Sequence, residues 1–134
     1  MLDSTAAVAA ERQGKNARQL LESVALETGD EDIAVSVVTI LELAHGITRA
    51  DTPERRNRRQ RFLDELLIGV PIQAVTVPIA IRAGQIDGQS HAKGVRIPLS
   101  DLLIGASALE LGYVVGTANF RHFQLIPNLN IIQL

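Results

Sequence analysis

Asp3, Glu42 and Asp101 each trail an apolar, strand-like stretch or open a helix, and Thr117 and Asn119 repeat that placement near the C-terminal end. Carboxylates at the same end of several parallel strands converge in space, and converging carboxylates bind a divalent cation. The chain therefore reads as a metal-dependent enzyme. Each residue also has a plainer reading. Asp3 closes Met1-Leu2-Asp3 just before a helix-favouring run, which suits an N-cap. Thr39-Ile40-Leu41-Glu42 matches a capping box, but Ser36 competes for the cap and would leave Glu42 deeper in the helix, free to point across the sheet end. Asp101 follows Ser100 at a helix start, where the macrodipole favours a carboxylate by about 0.3–1 kcal/mol. That helix is apolar nearly all round, so its first turn is drawn towards the interior, and no basic residue is adjacent. Asn119 alone reads as a turn residue bonded to its own backbone.

Composition narrows the chemistry. With no cysteine, neither a disulfide framework nor a thiolate site can form, and His45, His91 and His122 lack ligand-pair spacing. Any metal must be held by oxygen. The 134 residues, 46% of them apolar, suit one domain over 1–134 with a core of helices on a sheet. Met1 is followed at once by Leu2 and Asp3, which leaves no room for a signal peptide, and no apolar run approaches the roughly 20 residues of a membrane span. A cytoplasmic protein is expected. A net charge of −2 and a pI near 5.9 argue against binding nucleic acid by bulk electrostatics. The charge is nevertheless polarised. Arg49, Arg55, Arg56, Arg58, Arg59 and Arg61 crowd one segment, while Glu27, Asp30, Glu31 and Asp32 form an acidic run.

The elements that must position the acids alternate between short β-branched runs and helical periods. A first strand ends at Asp3, and a helix follows from Ala6 to Arg12. Asn16 caps a second helix through Ala17, Leu20, Leu21 and Val24, which Gly29 closes. Ile33 to Ser36 is a strand, followed by a helix towards Ile47. Thr52 and Pro53 supply a cap and a first-turn proline for a helix ending at Gly69. Ile72 to Val77 reads as a strand, and Pro78 starts a helix ending near Gly88, followed by a polar stretch from Gln89 to Gly94. Ser100 caps the apolar helix, which stops at Gly112. Tyr113 to Val115 and Asn130 to Ile132 complete five short strands in a parallel α/β sheet.

Four segments, in order and spacing, carry a resemblance that spans essentially the whole chain. They are Leu2-Asp3-Ser4-Thr5, Ser36 to Ile47 around Glu42, Ile97 to Leu109 around Asp101, and Val115 to Phe123 around Asn119. Together they resemble the PIN-domain ribonucleases, and within them the VapC-type toxins of VapBC type II toxin–antitoxin pairs. The resemblance implies a three-layer α/β/α fold with a small parallel sheet of about five strands and an acidic pocket holding Mg²⁺ or Mn²⁺. Asp3, Glu42 and Asp101 fall on the family's acids, and Asn119 falls on a fourth position that is often Asp. Asn there removes one negative charge, so a second ion would be held weakly. Only Met1 and Leu2 precede Asp3, fewer residues than the family usually has, so a short, under-paired first strand is expected.

The chemistry so implied is hydrolysis of an RNA phosphodiester by metal-activated water, leaving 5′-phosphate ends. Asp3 and Asp101 would ligate the ion directly. Glu42 would hold it through water or orient the attacking water, and Asn119 would position a water or the substrate phosphate. Ser4 and Thr117 would support the carboxylates by hydrogen bonds, and His122 reads as structural or substrate-edge rather than as a ligand. Arg55, Arg58, Arg59 and Arg61 could grip RNA phosphates or face an antitoxin's acidic tail, although a solvated helix face is the commoner meaning of such a run. The family also implies a homodimer and a VapB-type antitoxin whose C-terminal segment lies in the active-site groove. Two other readings use the same residues: a non-catalytic PIN-like interaction module, and a DNA-directed nuclease. An aspartyl phosphotransferase fits poorly, because Thr5 stands where its second Asp belongs.

Overall fold

A computed structural model describes all residues, Met1–Leu134. Its elements run α1 (Ser4–Arg12), α2 (Ala17–Thr28), β1 (Val35–Ser36), α3 (Val37–Thr48), α4 (Pro53–Gly69), β2 (Ile72–Gln73), α5 (Val77–Ala92), α6 (Leu99–Leu111), β3 (Val115–Thr117), a 3-10 turn (Phe123–Leu125) and β4 (Ile131–Gln133). β1 pairs with β2 and β3 with β4, both in parallel. Between the two pairs lies the N-terminal segment. Leu2 bridges Val35 on one side and Gly116 on the other, both in parallel. The expected first strand is thus present as a single bridging residue, bonded through Leu2 N to Ala34 O at 3.0 Å and through Gly116 N to Met1 O at 2.8 Å.

Side chains alternate across this layer, as strand geometry requires. Met1 and Val115 join an apolar cluster with Ile79, Ile86, Leu102 and Phe123, while Leu2 and Val35 join a second with Leu20, Val24 and Leu66. Helices α5 and α6 supply the first cluster, and α1, α2 and α4 the second, giving α/β/α layers. Helix α6 is buried along most of its length, in keeping with its apolar sequence. At Gly105 a Cβ would collide with Ile126 Cδ1, so the end of that side chain would have to shift to admit it.

Several boundaries differ from those read in the sequence. Helix α5 runs to Ala92, so Gln89 to His91 are helical rather than loop. The reason lies in which glycine turns: Gly94, at φ +73°, is left-handed, while Gly88 is not among the positive-φ glycines. Gly94 N donates to His91 O and Val95 N to Ser90 O, which satisfies the helix's last carbonyls. Helix α6 begins at Leu99, with Pro98 in the cap position and no side-chain cap from Ser100. Leu102 N already donates to Pro98 O at 2.9 Å, so Ser100 and Asp101 both lie inside the first turn. The strands are also shorter or displaced: Ile72–Gln73 in place of Ile72 to Val77, and Val115–Thr117 in place of Tyr113 to Val115.

Candidate active site

Asp3 leaves the sheet and enters α1 in one step. Its backbone N–H donates to Gly116 O at 3.2 Å, and its extended conformation makes it the N-cap of α1. Oδ1 accepts from Ala6 N at 3.3 Å and from Thr5 Oγ1 at 2.8 Å, and Oδ2 accepts from Thr117 Oγ1 at 2.8 Å. Thr5 Oγ1 in turn accepts from Ala118 N at 3.0 Å, and Thr117 Oγ1 from Asn119 N at 3.0 Å. Each hydroxyl has one proton, and the Asp3 carboxylate is the charged acceptor within reach of both. Asp3 as a whole is only 3% exposed. Burial raises its pKa above the usual value, the Thr5, Thr117 and Ala6 donors oppose that rise, and the charge of Asp101 adds to it.

Glu42 is placed by the cap of α3. Ser36 takes the cap position, accepting from Val38 N at 3.1 Å, so Glu42 lies in the second turn and the Thr39 capping box does not form. Thr39 is buried instead, its hydroxyl donating to Leu2 O at 3.2 Å. Burial also raises the Glu42 pKa; the Ser4 hydroxyl beside it acts the other way, and the charges of Asp101 and Asp3 add to the rise. The three acids therefore feel one another across α1, α3 and α6.

No cation relieves them directly. None of the ion pairs in the molecule includes Asp3 or Glu42. Asp101 has a partner that its sequence neighbourhood does not show: His122 Nδ1 lies 2.8 Å from Asp101 Oδ2. Asn119 is exposed, and its Oδ1 accepts from Arg121 N at 3.3 Å, the turn role its residue type suggests. It makes no side-chain hydrogen bond to the acids.

The donor set suits a hard divalent cation: mutually repelling carboxylate oxygens, one nearly buried and lacking any positive partner. No three acidic or histidine side chains are already gathered into a metal-binding group, so a bound ion would require side-chain adjustment.

Beside Ser4 and Glu42 a groove of about 620 Å³ opens between α1, α3 and α4. It separates the four candidate arginines. Arg58 and Arg61 line the groove without an ion-pair partner, together with Val8, Leu41 and Phe62. Arg59 also borders it but is engaged: Nε meets Glu11 Oε1 at 3.0 Å and Nη1 donates to Gly46 O at 2.6 Å, tying α4 to α1 and α3. Arg55 is outside the lining and pairs with Asp51 at 3.2 Å on the exposed helix face. A second cavity of about 660 Å³, near Met1 and Tyr113, carries Glu27, Glu31 and Asp32 but none of Asp3, Glu42, Asp101 and Asn119. No helix is long and apolar enough to cross a membrane.

The PIN domain family model matches residues 1–127, which includes all four motifs. The chain belongs to the PIN domain family. Among curated relatives, the tRNA(fMet)-specific endonuclease VapC of Salmonella typhimurium is 28% identical over 99 residues, covering 74% of this chain and 73% of its own length. Ribonuclease VapC2 of Rickettsia felis is 28% identical over 97 residues, covering 72% of this chain and 70% of its own. Among solved structures, DNA-bound VapBC from Salmonella typhimurium superposes with a TM-score of 0.80 at 26% identity, over 99% of this chain and 96% of that one. VapBC2 from Rickettsia felis, bound to a promoter DNA fragment, has a TM-score of 0.84 at 24% identity, over 100% of this chain and 97% of that one. This PIN fold has the α/β architecture expected from the sequence.

Proposed function

We propose that this PIN domain, comprising the whole chain as a single domain, is the toxin of a type II toxin–antitoxin pair. It acts in the cytoplasm as a metal-dependent endoribonuclease held inactive by its antitoxin. The observation that carries the reading is the group of Asp3, Glu42 and Asp101, whose charges repel one another with no cation on Asp3 or Glu42. The VapC relatives, one an endonuclease specific for tRNA(fMet) and one a ribonuclease, support the choice of RNA. The solved VapBC assemblies support a VapB-type partner. Homodimerisation is proposed from the family resemblance.

Asp3 and Asp101 would hold Mg²⁺, or Mn²⁺ in its place, with Glu42 completing the site. The ion lowers the cost of ionising water and offsets charge on the phosphate. Thr5 and Thr117 orient Asp3 and favour its ionised form by donating to both its oxygens. Glu42, with the Ser4 hydroxyl beside it, is the acid that orients the attacking water. Asn119 would release its turn contact to meet the phosphate. Arg58 and Arg61 give the groove positive charge for RNA phosphates or for an acidic stretch of the antitoxin. An antitoxin arginine on the unpaired acids would inhibit by taking the cation's place.

Purified protein incubated with total RNA and, separately, with DNA tests the reading. Cleavage of RNA but not DNA is expected with Mg²⁺, abolished by EDTA and by Asp101→Asn, with 5′-phosphate ends. Equal behaviour of wild type and Asp101→Asn would leave a non-catalytic interaction module, and cleavage of DNA alone would make it a DNA-directed nuclease.

A further inference from the structure

We propose that His122 is a positioning residue of the acidic site, donating its Nδ1–H to Oδ2 of Asp101 and holding that carboxylate for the divalent cation. This rests on the reading that Asp101 is a ligand. The 2.8 Å contact joins residues 21 apart in sequence, and it is the one side-chain hydrogen bond that Asp101 makes. The other two acids have hydroxyls beside them: Thr5 and Thr117 on Asp3, and Ser4 by Glu42. On Asp101 the imidazole takes that place.

Both ends of the bond are anchored by the next residue in the chain. Asp101 precedes Leu102, 3% exposed in the core of α6, and His122 precedes Phe123, 1% exposed in the same apolar cluster. The 3-10 turn fixes the backbone at His122, whose carbonyl accepts from Leu125 N at 3.1 Å, while Gln124 N donates to Phe120 O at 3.0 Å. The Asp101 side chain is 19% exposed and that of His122 is 39% exposed, so the contact lies at the rim rather than in bulk solvent. A carboxylate has several lone-pair directions, so one oxygen can accept from the ring while Oδ1, which has no protein partner, stays open to an ion. Donation from Nδ1 also fixes the tautomer of the neutral ring and leaves Nε2 as the bare nitrogen. Outer partners that orient a metal ligand commonly change metal affinity about 10–100-fold when removed.

The test compares His122→Asn, His122→Gln and His122→Ala with wild type by Mn²⁺ titration, read from the free-ion electron paramagnetic resonance signal. Thermal melts in EDTA check folding. Asn can place an amide donor near the Nδ1 position, whereas Gln places one nearer Nε2. Asn is expected to bind Mn²⁺ within about 3-fold of wild type, and Gln and Ala about 10-fold or more weakly. ¹⁵N spectra of the metal-free protein should show Nδ1 protonated. Wild-type affinity in His122→Ala, loss in Asn equal to that in Gln, or a neutral ring protonated only at Nε2 would overturn the proposal. If Ala does not fold, the comparison of Asn with Gln still decides. Asp101→Asn separates the two readings. Unchanged Mn²⁺ binding in Asp101→Asn, or none in wild type, overturns the site itself; loss there with none in His122→Ala overturns only the role of His122.

Discussion

Replacing Asp3 by Asn should make the metal-free protein more stable while abolishing its activity. Asn is as good an N-cap as Asp, and its side-chain oxygen can keep the bonds from Ala6 N and Thr5 Oγ1. Facing the new amide, Thr117 can turn its proton to Asn119 O, 3.1 Å away, and accept from Nδ2. The substitution therefore removes a charge and little else. That charge is nearly buried, is repelled by Asp101, and has a raised pKa despite three donors, so its removal should stabilise by on the order of 1–2 kcal/mol. At a usual unfolding entropy of about 2.1 cal/mol/K per residue, the 134 residues give about 0.28 kcal/mol/K, and the melting temperature should rise by about 4–7 °C. The assay is calorimetric melting at pH 7.5 in EDTA and in Mn²⁺. At a hundredfold excess over Kd, the ion should stabilise wild type by about 2.7 kcal/mol, or about 10 °C, and leave the variant nearly unmoved, which reverses their order. An Asp3→Asn melting point at or below wild type in EDTA would refute the reasoning, because it would show that the hydroxyl donors already compensate the charge.

The pH dependence follows from the same acids. Asp3 and Glu42 are raised above 3.8 and 4.5, so they favour the folded state below those values and lose that contribution as pH rises through the raised ones. In EDTA, the stability gap between wild type and Asp3→Asn/Glu42→Gln should be smallest near pH 4 and widen upward; a constant gap in melts across pH 4–8 would contradict it. The Met1 ammonium, pushed by burial from 8.0 to about 6, acts oppositely between those values in both proteins and cancels in the difference. Arg59→Ala should cost about 1–3 kcal/mol, because it leaves Glu11 and the Gly46 carbonyl unpartnered, whereas Arg58→Ala should leave the melting point within about 0.5 kcal/mol and weaken RNA or antitoxin binding. Equal melting points for the two variants would remove the distinction between latch and groove residue.

The helices were largely legible in the sequence because their signals are local. Asn16 caps α2 as read, with Gln19 completing a capping box, Thr52 caps α4 ahead of Pro53, and Gly29 and Gly112 both turn left-handed. Strand limits were less legible, since a two-residue strand is defined by its neighbours: Val35 and Ser36 count because Ile72 and Gln73 lie alongside. Gly88 looked like a terminator, but residue type alone does not say which glycine will take positive φ. At the site, the acids could be named because carboxylates near interior elements are rare. Their supports could not all be named. Thr5 donates to Asp3 only two residues away, but its contact with Ala118 N and that of His122 with Asp101 join segments far apart in the chain, and no local pattern signals them. The arginine run was legible as charge only; its division into latch, groove and solvent roles depends on which face of α4 meets α1 and α3.

The plain and functional readings of Asp3 turn out not to compete. The same Oδ1 that accepts from Ala6 N to start α1 belongs to the carboxylate whose Oδ2 is held by Thr117. A crossover from a parallel strand into a helix places the helix N-terminus at the C-terminal end of the sheet, where side chains from several strands converge. An acid there helps begin the helix, and the helix dipole in turn favours its ionised form. Asp101 also lies in the first turn of a helix, although α6 follows α5 rather than a strand. Glu42, one turn farther into α3, benefits less from that dipole, which leaves the Ser4 hydroxyl as its nearby support. Burial, with the neighbouring acids adding to it, works against all of this and raises the pKa of both Asp3 and Glu42. A divalent ion bound at these acids, as proposed above, would relieve their mutual repulsion and stabilise the fold, so its binding would be coupled to folding through the same oxygens.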